Sequence, residues 1–146
     1  MKRSAALRDL SDDHHVALVL ALRARRTAAG GDEDAVAATW REAERTHRDE
    51  LEPHFAIEER WLAPPLEAAG EAALVARLHE DHAALREALA PGAARGAAAL
   101  AAFGERLAAH VRFEERELFP VAERRLPVAA LAAIEAACRA RRTGSA

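Results

Sequence analysis

The chain has 146 residues, a formal net charge of -3 at pH 7 and a sequence pI near 6.2, and 51% of its residues are hydrophobic. A chain of this length fits a single domain over residues 1–146, and its interspersed charges exclude the basic surface typical of proteins that bind nucleic acid or an anionic membrane. With one cysteine, no signal-peptide run and no stretch of ~20 apolar residues, the sequence predicts a cytoplasmic protein without internal disulfides or membrane spans.

Alanine, leucine, arginine and glutamate dominate the sequence, tyrosine is absent and β-branched residues are few. This composition favours helix nearly throughout, so we predict an all-α fold without strands. Glycines and prolines divide the chain at residues 30–31, 64–70, 91–96, 120 and 127. The predicted helices in chain order cover residues 11–29, 34–62, 71–90 and 97–119, followed by a shorter helix over about residues 127–142. Because short connections favour antiparallel neighbours, we predict an up-down antiparallel four-helix bundle over about residues 10–126 with a short C-terminal helix.

Two positions decide the predicted bounds of the first and second helices. Ser11 is a good N-cap residue, and two aspartates follow it in what would be the first turn of the first helix. Pro53 lies inside the second predicted helix, where it removes one backbone hydrogen bond and crowds the carbonyl of Asp49. We therefore predict a kink just before His54. The alternative is that a new helix begins at Pro53.

An eleven-residue motif occurs twice in the chain, as HFAIEERWLAP at residues 54–64 and as HVRFEERELFP at residues 110–120. Both copies have His first, Glu four and five residues later, Arg six later, Leu eight later and Pro ten later. Packing of a helix face requires apolar residues at helical spacing but does not fix the positions of His and Glu. Residues four apart share a helix face, so the His and the first Glu of each copy could hold one metal ion together.

The repeat extends upstream of the two motifs. HVAL at residues 15–18 matches HAAL at residues 82–85, and a leucine follows seven residues after the histidine in both. Each half of the chain therefore supplies one helix with a histidine and one helix with His-x-x-x-Glu. Two such halves, related by a pseudo-twofold axis, would bring four imidazoles and two carboxylates into the core of one bundle.

The first histidine of the set has two candidates. The Asp-His pair at residues 13–14 matches the pair at residues 81–82, and a leucine stands four residues before the histidine in both, which supports His14. The downstream matches support His15, and we predict His15 as the ligand. The sequence leaves open whether three further residues join the site. We interpret His47 and Glu50 as core or surface residues and His79 as a solvated residue or a neighbour of the ligands.

Buried carboxylates without a partner lose several kcal/mol of solvation or become protonated, so this set favours bound cations. Two divalent ions balance the two glutamates and leave room for an anionic solvent bridge. Imidazole with carboxylate suits iron, and also manganese or zinc. Four imidazoles and two bridging carboxylates supply eight of the twelve bonds that two six-coordinate ions need, and one solvent bridge supplies two more. One position on each ion therefore stays open for a small molecule.

The arrangement resembles the hemerythrin-like family of four-helix di-iron proteins, in its bacterial His/His/Glu cation-binding branch. LEPHFAIEERWLAPPLE and LAAHVRFEERELFPVAE resemble the second-helix and fourth-helix motifs of that branch, and the resemblance covers about residues 10–126. It implies two non-haem iron ions with a solvent bridge, either oxo or hydroxo, in which two glutamates bridge the ions. The ligands that it implies are His15, His54, Glu58, His82, His110 and Glu114.

The resemblance also bounds the expected function. Oxygen-carrying hemerythrins have a third-helix His-x-x-x-His and a fourth-helix aspartate, whereas here His79 stands three residues before His82 and the fourth helix supplies Glu114. These departures weigh against reversible oxygen transport. We expect a di-iron protein that binds or senses oxygen, nitric oxide or peroxide. The alternatives are a small enzyme that detoxifies peroxide or nitric oxide and a module for metal storage; the sequence indicates no redox partner.

Overall fold

The structure is a computed structural model that describes residues 3–144 and contains five helices and no strand within that range. Helix α1 comprises Ala5–Asp12 and His14–Gly30, separated by a break at Asp13; α2 comprises Glu33–Thr46, His47–Leu51, Glu52–Ile57, Glu58–Leu62 and Ala63–Ala68; α3 is Ala72–Ala88; α4 comprises Ala97–Phe113, Glu114–Leu118 and Phe119–Arg125; α5 is Val128–Arg142. The predicted all-α class is confirmed. Among these helices, none combines the length and the hydropathy needed to cross a membrane.

Helix α1 begins six residues before its predicted start. Its N-cap is Ser4, whose hydroxyl accepts a hydrogen bond from the backbone N–H of Leu7 at 3.4 Å, so the prediction of Ser11 as N-cap was wrong. Leu7 and Leu10 are fully buried and extend the apolar face of the helix towards the N-terminus. This burial stabilises a helical turn that the capping pattern alone did not reveal. The hydroxyl of Ser11 instead donates to the carboxylate of Glu115.

Prolines do not end α2 or α4, contrary to the predicted ends at residues 62 and 119. Three π-helical turns lie in these helices: His47–Leu51, Glu58–Leu62 and Glu114–Leu118. In each turn the first residue's carbonyl accepts from the N–H five residues later, and a proline follows two residues after the turn, at Pro53, Pro64 and Pro120. The wider turn accommodates the missing N–H and the bulk of the proline ring, so the helix continues. The helix is continuous through Pro53, with the π-helical turn at the place where we predicted a kink.

Two clusters of buried apolar side chains form the core. The tail-side cluster joins α5 to the first turns of α1 and includes Leu7, Leu10, Leu62, Leu66, Leu78, Phe119 and Ile134. The loop-side cluster lies at the other end and includes Leu20, Trp40, Phe55, Leu85, Phe103 and Leu107. On α3, for example, Leu78 belongs to the first cluster and Leu85 to the second, with His82 between them. The buried polar layer therefore lies between two apolar clusters that hold its helices in place.

Helices α1 and α4 approach each other closely at Gly104. A Cβ atom added there would lie 2.8 Å from the carbonyl oxygen of Ala21 and 3.2 Å from Cβ of Ala24. Only a residue without a side chain fits this distance. Small residues on α1 and the glycine on α4 thus set the distance between these two helices.

Candidate metal centre

Six buried polar side chains meet in the layer between the two clusters. Each has a relative exposure of 6% or less, and both glutamates are fully buried. The residues are His14, His54, Glu58, His82, His110 and Glu114. Four helices supply them: α1 and α3 give one histidine each, and α2 and α4 give one His-x-x-x-Glu pair each. Both glutamates occupy the first position of a π-helical turn, so the same proline-linked turn aims each carboxylate into the layer.

The inner glutamates, Glu58 and Glu114, each lie between two pairs of imidazoles. Glu58 places Oε2 3.1 Å from Nε2 of His54 and Oε1 3.1 Å from Nε2 of His82. Glu114 places Oε1 2.6 Å from Nε2 of His14 and Oε2 3.1 Å from Nε2 of His110. One oxygen of each carboxylate therefore faces the His14–His54 pair, and the other faces the His82–His110 pair.

The donor atoms group into two positions suited to cations. We call the space between His14 and His54 the first position and the space between His82 and His110 the second position. One donor atom from each of Glu58, His82, His110 and Glu114 lies within 4.8 Å of the others, and the same holds for His14, His54 and Glu114. A carboxylate with one oxygen in each group can bridge two ions.

Several of these atoms lack a hydrogen-bond partner among residues 3–144. Oε2 of Glu58, Oε2 of Glu114 and Nε2 of His110 are buried and make no hydrogen bond within that range, although His110 and Glu114 lie close together. The two atoms are close, but the donor and the acceptor are not aligned for a hydrogen bond. Buried polar atoms left in this state are costly unless another group satisfies them. Atoms of this type directed at a common centre fit the ligands of a metal ion.

A set of outer carboxylates surrounds the imidazoles, one for each. Nδ1 of His14 lies 2.6 Å from Glu115, Nδ1 of His54 2.8 Å from Asp13, Nδ1 of His82 2.6 Å from Glu59, and Nδ1 of His110 2.9 Å from Asp81. Each imidazole can therefore donate its Nδ1–H outwards and present the lone pair of Nε2 to the centre. This arrangement orients metal-binding histidines and raises their basicity.

Each outer carboxylate in turn binds one arginine. The pairs are Asp13 with Arg141, Asp81 with Arg77, Glu59 with Arg86 and Glu115 with Arg3. Burial alone would raise the pKa of all four carboxyl groups. Hydrogen bonds to histidine and arginine, preceded for Glu115 by that of the Ser11 hydroxyl, outweigh burial and hold each pKa below its ordinary value. The outer carboxylates are therefore anionic at neutral pH.

The centre attracts positive charge. Burial would lower the pKa of His54 and of His110, but the neighbouring carboxylates outweigh it: the pKa of His54 is raised well above its ordinary value and that of His110 to about 10. Burial would raise the pKa of Glu114, but the charge of His110 and the hydrogen bond with His14 hold it well below its ordinary value. Protons on His54 and His110 thus supply charge that a metal ion would supply after displacing them.

A cavity of about 10 Å³ adjoins the first position. Its polar walls include three residues of the first position, together with Asp13 and with His110 of the second. The remaining lining is apolar: Ala17, Leu51, Phe55, Leu107 and Val111. This volume is about that of one water-sized molecule. The structure therefore provides room beside the first position for a small uncharged ligand.

The structure brings five of the six predicted ligands together and replaces the sixth. His15 is exposed, whereas His14 is 6% exposed and faces Glu114, so the preference for His15 is corrected to His14. The reason is helical register: Leu7, Leu10, His14 and Ala17 lie on one buried face, and His15 is a further 100° around the helix.

The three residues whose role the sequence left open, His47, Glu50 and His79, lie outside the cluster of six buried polar side chains. His79 is exposed, Glu50 binds Arg141, and His47 packs edge-on against Phe55. The outer carboxylates and arginines were not predicted. The repeated dipeptides Asp-His at residues 13–14 and 81–82 and Glu-Glu at residues 58–59 and 114–115 carried that signal, since in each pair one residue faces the centre and the other binds a neighbouring imidazole.

The chain was compared with known proteins. Comparisons with curated proteins and with solved structures gave no match. A family model does match: that of the hemerythrin HHE cation-binding domain, over residues 6–122. The match spans all six buried ligand candidates and all four outer carboxylates. The chain therefore belongs to the hemerythrin HHE cation-binding domain family.

Proposed function

We propose that the protein holds two non-haem iron ions and binds a small ligand such as oxygen, nitric oxide or peroxide beside them. His14 and His54 would hold the first ion, and His82 and His110 the second. Glu58 and Glu114 would bridge the two ions together with one solvent molecule. The observation that carries this proposal is the placement of one oxygen of each glutamate towards each histidine pair.

The donor set combines four imidazoles with two carboxylates, which suits iron as well as manganese or zinc, and the resemblance to the di-iron proteins favours iron among them. A bound iron pair supplies redox electrons and open coordination positions. The residues of the chain supply the rest: the outer carboxylates orient the imidazoles, and the two apolar clusters exclude bulk water from the layer. The cluster lies inside a helical bundle. We further propose that the four long helices of this bundle run alternately up and down, as their short connections predict.

The cavity beside the first position favours a diatomic ligand over a larger substrate. About 10 Å³ with a mostly apolar lining admits a molecule the size of oxygen or nitric oxide and excludes an organic substrate. Peroxide is of similar size, so an enzyme that consumes peroxide or nitric oxide is the second candidate. Sustained turnover with an added reductant would favour the enzyme, and stoichiometric binding would favour the sensor or scavenger.

The test is to load the metal-free protein with ferrous iron without air, remove the excess and determine iron per chain. The visible spectrum is then recorded before and after addition of oxygen or nitric oxide. We expect two irons per chain and a new absorption band that each gas produces. A Glu67→Gln variant, altered at an exposed residue of α2, should behave as the unchanged protein. One iron per chain or fewer, or no spectral response to either gas, would contradict the proposal.

A further inference from the structure

We propose that the two metal positions are held unequally, because the first position depends on arginines from the two ends of the chain. Arg3 and Arg141 act as positioning residues for His14 and His54. Their loss releases the ion of the first position and leaves the second ion in place. The inference rests on the proposed two-ion site and concerns the order in which the ions leave it.

The two positions have the same types of inner and outer residues, although four donor atoms lie within 4.8 Å of one another at the second position and three at the first. Each position has two imidazoles and one oxygen from each inner glutamate. Each also has one aspartate and one glutamate bound to the Nδ1 atoms of its histidines. The sequence repeat thus makes the residue types of the two positions alike up to the outer carboxylates. The groups that hold those carboxylates, by contrast, come from different parts of the chain.

At the second position both arginines belong to the helix that also carries His82. Arg77 lies four residues before Asp81 on α3, with Nε 3.1 Å from its carboxylate. Arg86, also on α3, donates to Glu59 at 2.8 Å. Residues four apart on one helix meet whenever that helix forms. The supports of the second position are therefore in place as soon as α3 has packed in the bundle.

At the first position both arginines come from outside residues 6–122, the region that matches the family. Arg141 of α5 donates to Asp13 at 2.7 Å and to the side chain and backbone of Glu50 at 3.0 and 3.1 Å. Arg3 donates to the carboxylate of Glu115 and to its backbone carbonyl at 2.9 Å. The contacts with Asp13 and Glu115 join residues more than a hundred positions apart, so they require the two terminal segments to be docked.

The contact of Arg141 has a direct consequence for His54. Asp13 presents one oxygen, Oδ2, to both Arg141 and Nδ1 of His54. Without the arginine, Asp13 keeps His54 as its one side-chain hydrogen-bond partner among residues 3–144, and water can compete for its carboxylate, since the side chain is 26% exposed. The carboxylate that fixes the ring of His54 is then itself no longer held in place. Removal of such an outer partner costs about 10–100-fold in metal affinity.

The experiment follows release of iron from the full-length protein. The unchanged protein and Arg141→Ala are loaded with ferrous iron without air, mixed with excess EDTA, and sampled for iron per chain over time. We expect Arg141→Ala to lose one iron per chain about 10–100-fold faster than the unchanged protein and to lose the other at the unchanged rate. Arg142→Ala is the matched control: it removes the same charge one residue along α5, where Arg142 pairs with Asp9. It should behave as the unchanged protein.

Two single-position backgrounds identify which ion leaves. With the second position disabled by His82→Ala, adding Arg141→Ala should speed release of the remaining ion. With the first position disabled by His14→Ala, adding Arg141→Ala should change nothing. Arg141→Lys keeps the charge but cannot reach Asp13 and Glu50 with two nitrogens, so we expect an intermediate rate. Because lysine preserves the charge on α5, Arg141→Lys can be used for the same test if Arg141→Ala does not fold.

Three results would overturn the inference: unchanged release from Arg141→Ala and Arg141→Lys, simultaneous release of both ions, or faster release in the His14→Ala background. A different result bears on the proposed function instead. If the unchanged protein binds fewer than two irons per chain, the two-ion site itself is wrong.

Discussion

Replacement of Glu58 by glutamine tests whether the buried carboxylates are metal ligands. The side chain is fully buried, and its two oxygens lie 3.1 Å from His54 and from His82. Glutamine keeps the shape but has one neutral oxygen and one NH₂ group, so it cannot bridge two cations. We therefore expect Glu58→Gln to weaken binding of both ions.

The expected size follows from linkage between binding and folding. A ligand present at a hundred times its Kd stabilises the folded state by about 2.7 kcal/mol, and each kcal/mol moves Tm by about 2–4 °C in a chain of this size. Each bound iron should therefore raise the Tm of the unchanged protein by about 5–11 °C under those conditions, and two irons by about 11–22 °C. Glu58→Gln should lose most of this rise, whereas Glu67→Gln, at an exposed residue of the same helix, should keep it.

The assay is differential scanning calorimetry of each variant with and without iron, without air, with iron per chain determined on the same samples. The comparison between the loaded and metal-free forms of one variant removes the effect of the substitution on the metal-free fold. If Glu58→Gln keeps two irons and the full rise in Tm, Glu58 is not a ligand and the assignment of the bridging carboxylates is wrong.

Three further predictions follow. His14→Ala should bind one iron per chain and His15→Ala two, by elemental analysis, because only His14 is buried beside Glu114; equal iron contents would contradict the corrected assignment. In the metal-free protein the pKa of His110 is raised from 6.5 to about 10, so its stabilising effect is complete below about pH 6.5 and is lost as the pH rises towards about 10. Metal binding requires the unprotonated ring, so the stabilisation added by metal should grow over the same range, and melting curves of the two forms that shift in parallel would be inconsistent with this site. Gly104→Ala should destabilise the fold by about 1–3 kcal/mol in urea unfolding, because its Cβ would contact the Ala21 carbonyl, whereas Gly30→Ala, with open space around it, should not; equal effects would show that the close approach of α1 and α4 is unimportant.

Much of the fold followed from local properties of the sequence. Composition and spacing of apolar residues were sufficient for the all-α class and for the number of helices, since both depend on helix propensity and on burial of one face. The predicted ends of α2 and α4 were wrong because Pro64 and Pro120 each follow a π-helical turn, through which the helix continues. A local rule for proline assumes α-helical hydrogen bonding on both sides, and this assumption fails where the turn widens.

The sequence repeat was sufficient to predict the residues of the metal centre that belong to its repeated motifs. The His-x-x-x-Glu motifs located four residues of the cluster because their spacing is a property of one helix. The choice between His14 and His15 depended on where α1 begins, and the buried leucines before Ser11 decided it. The contact between Arg141 and Asp13 joins distant parts of the chain, so no local pattern encodes it.

Anomalous X-ray scattering at the iron edge, from crystals of the iron-loaded protein, tests the central claim most directly. Two iron peaks should appear inside the bundle, one between His14 and His54 and one between His82 and His110. Glu58 and Glu114 should each contact both peaks. A single peak, or two peaks that do not share these carboxylates, would contradict the two-ion centre.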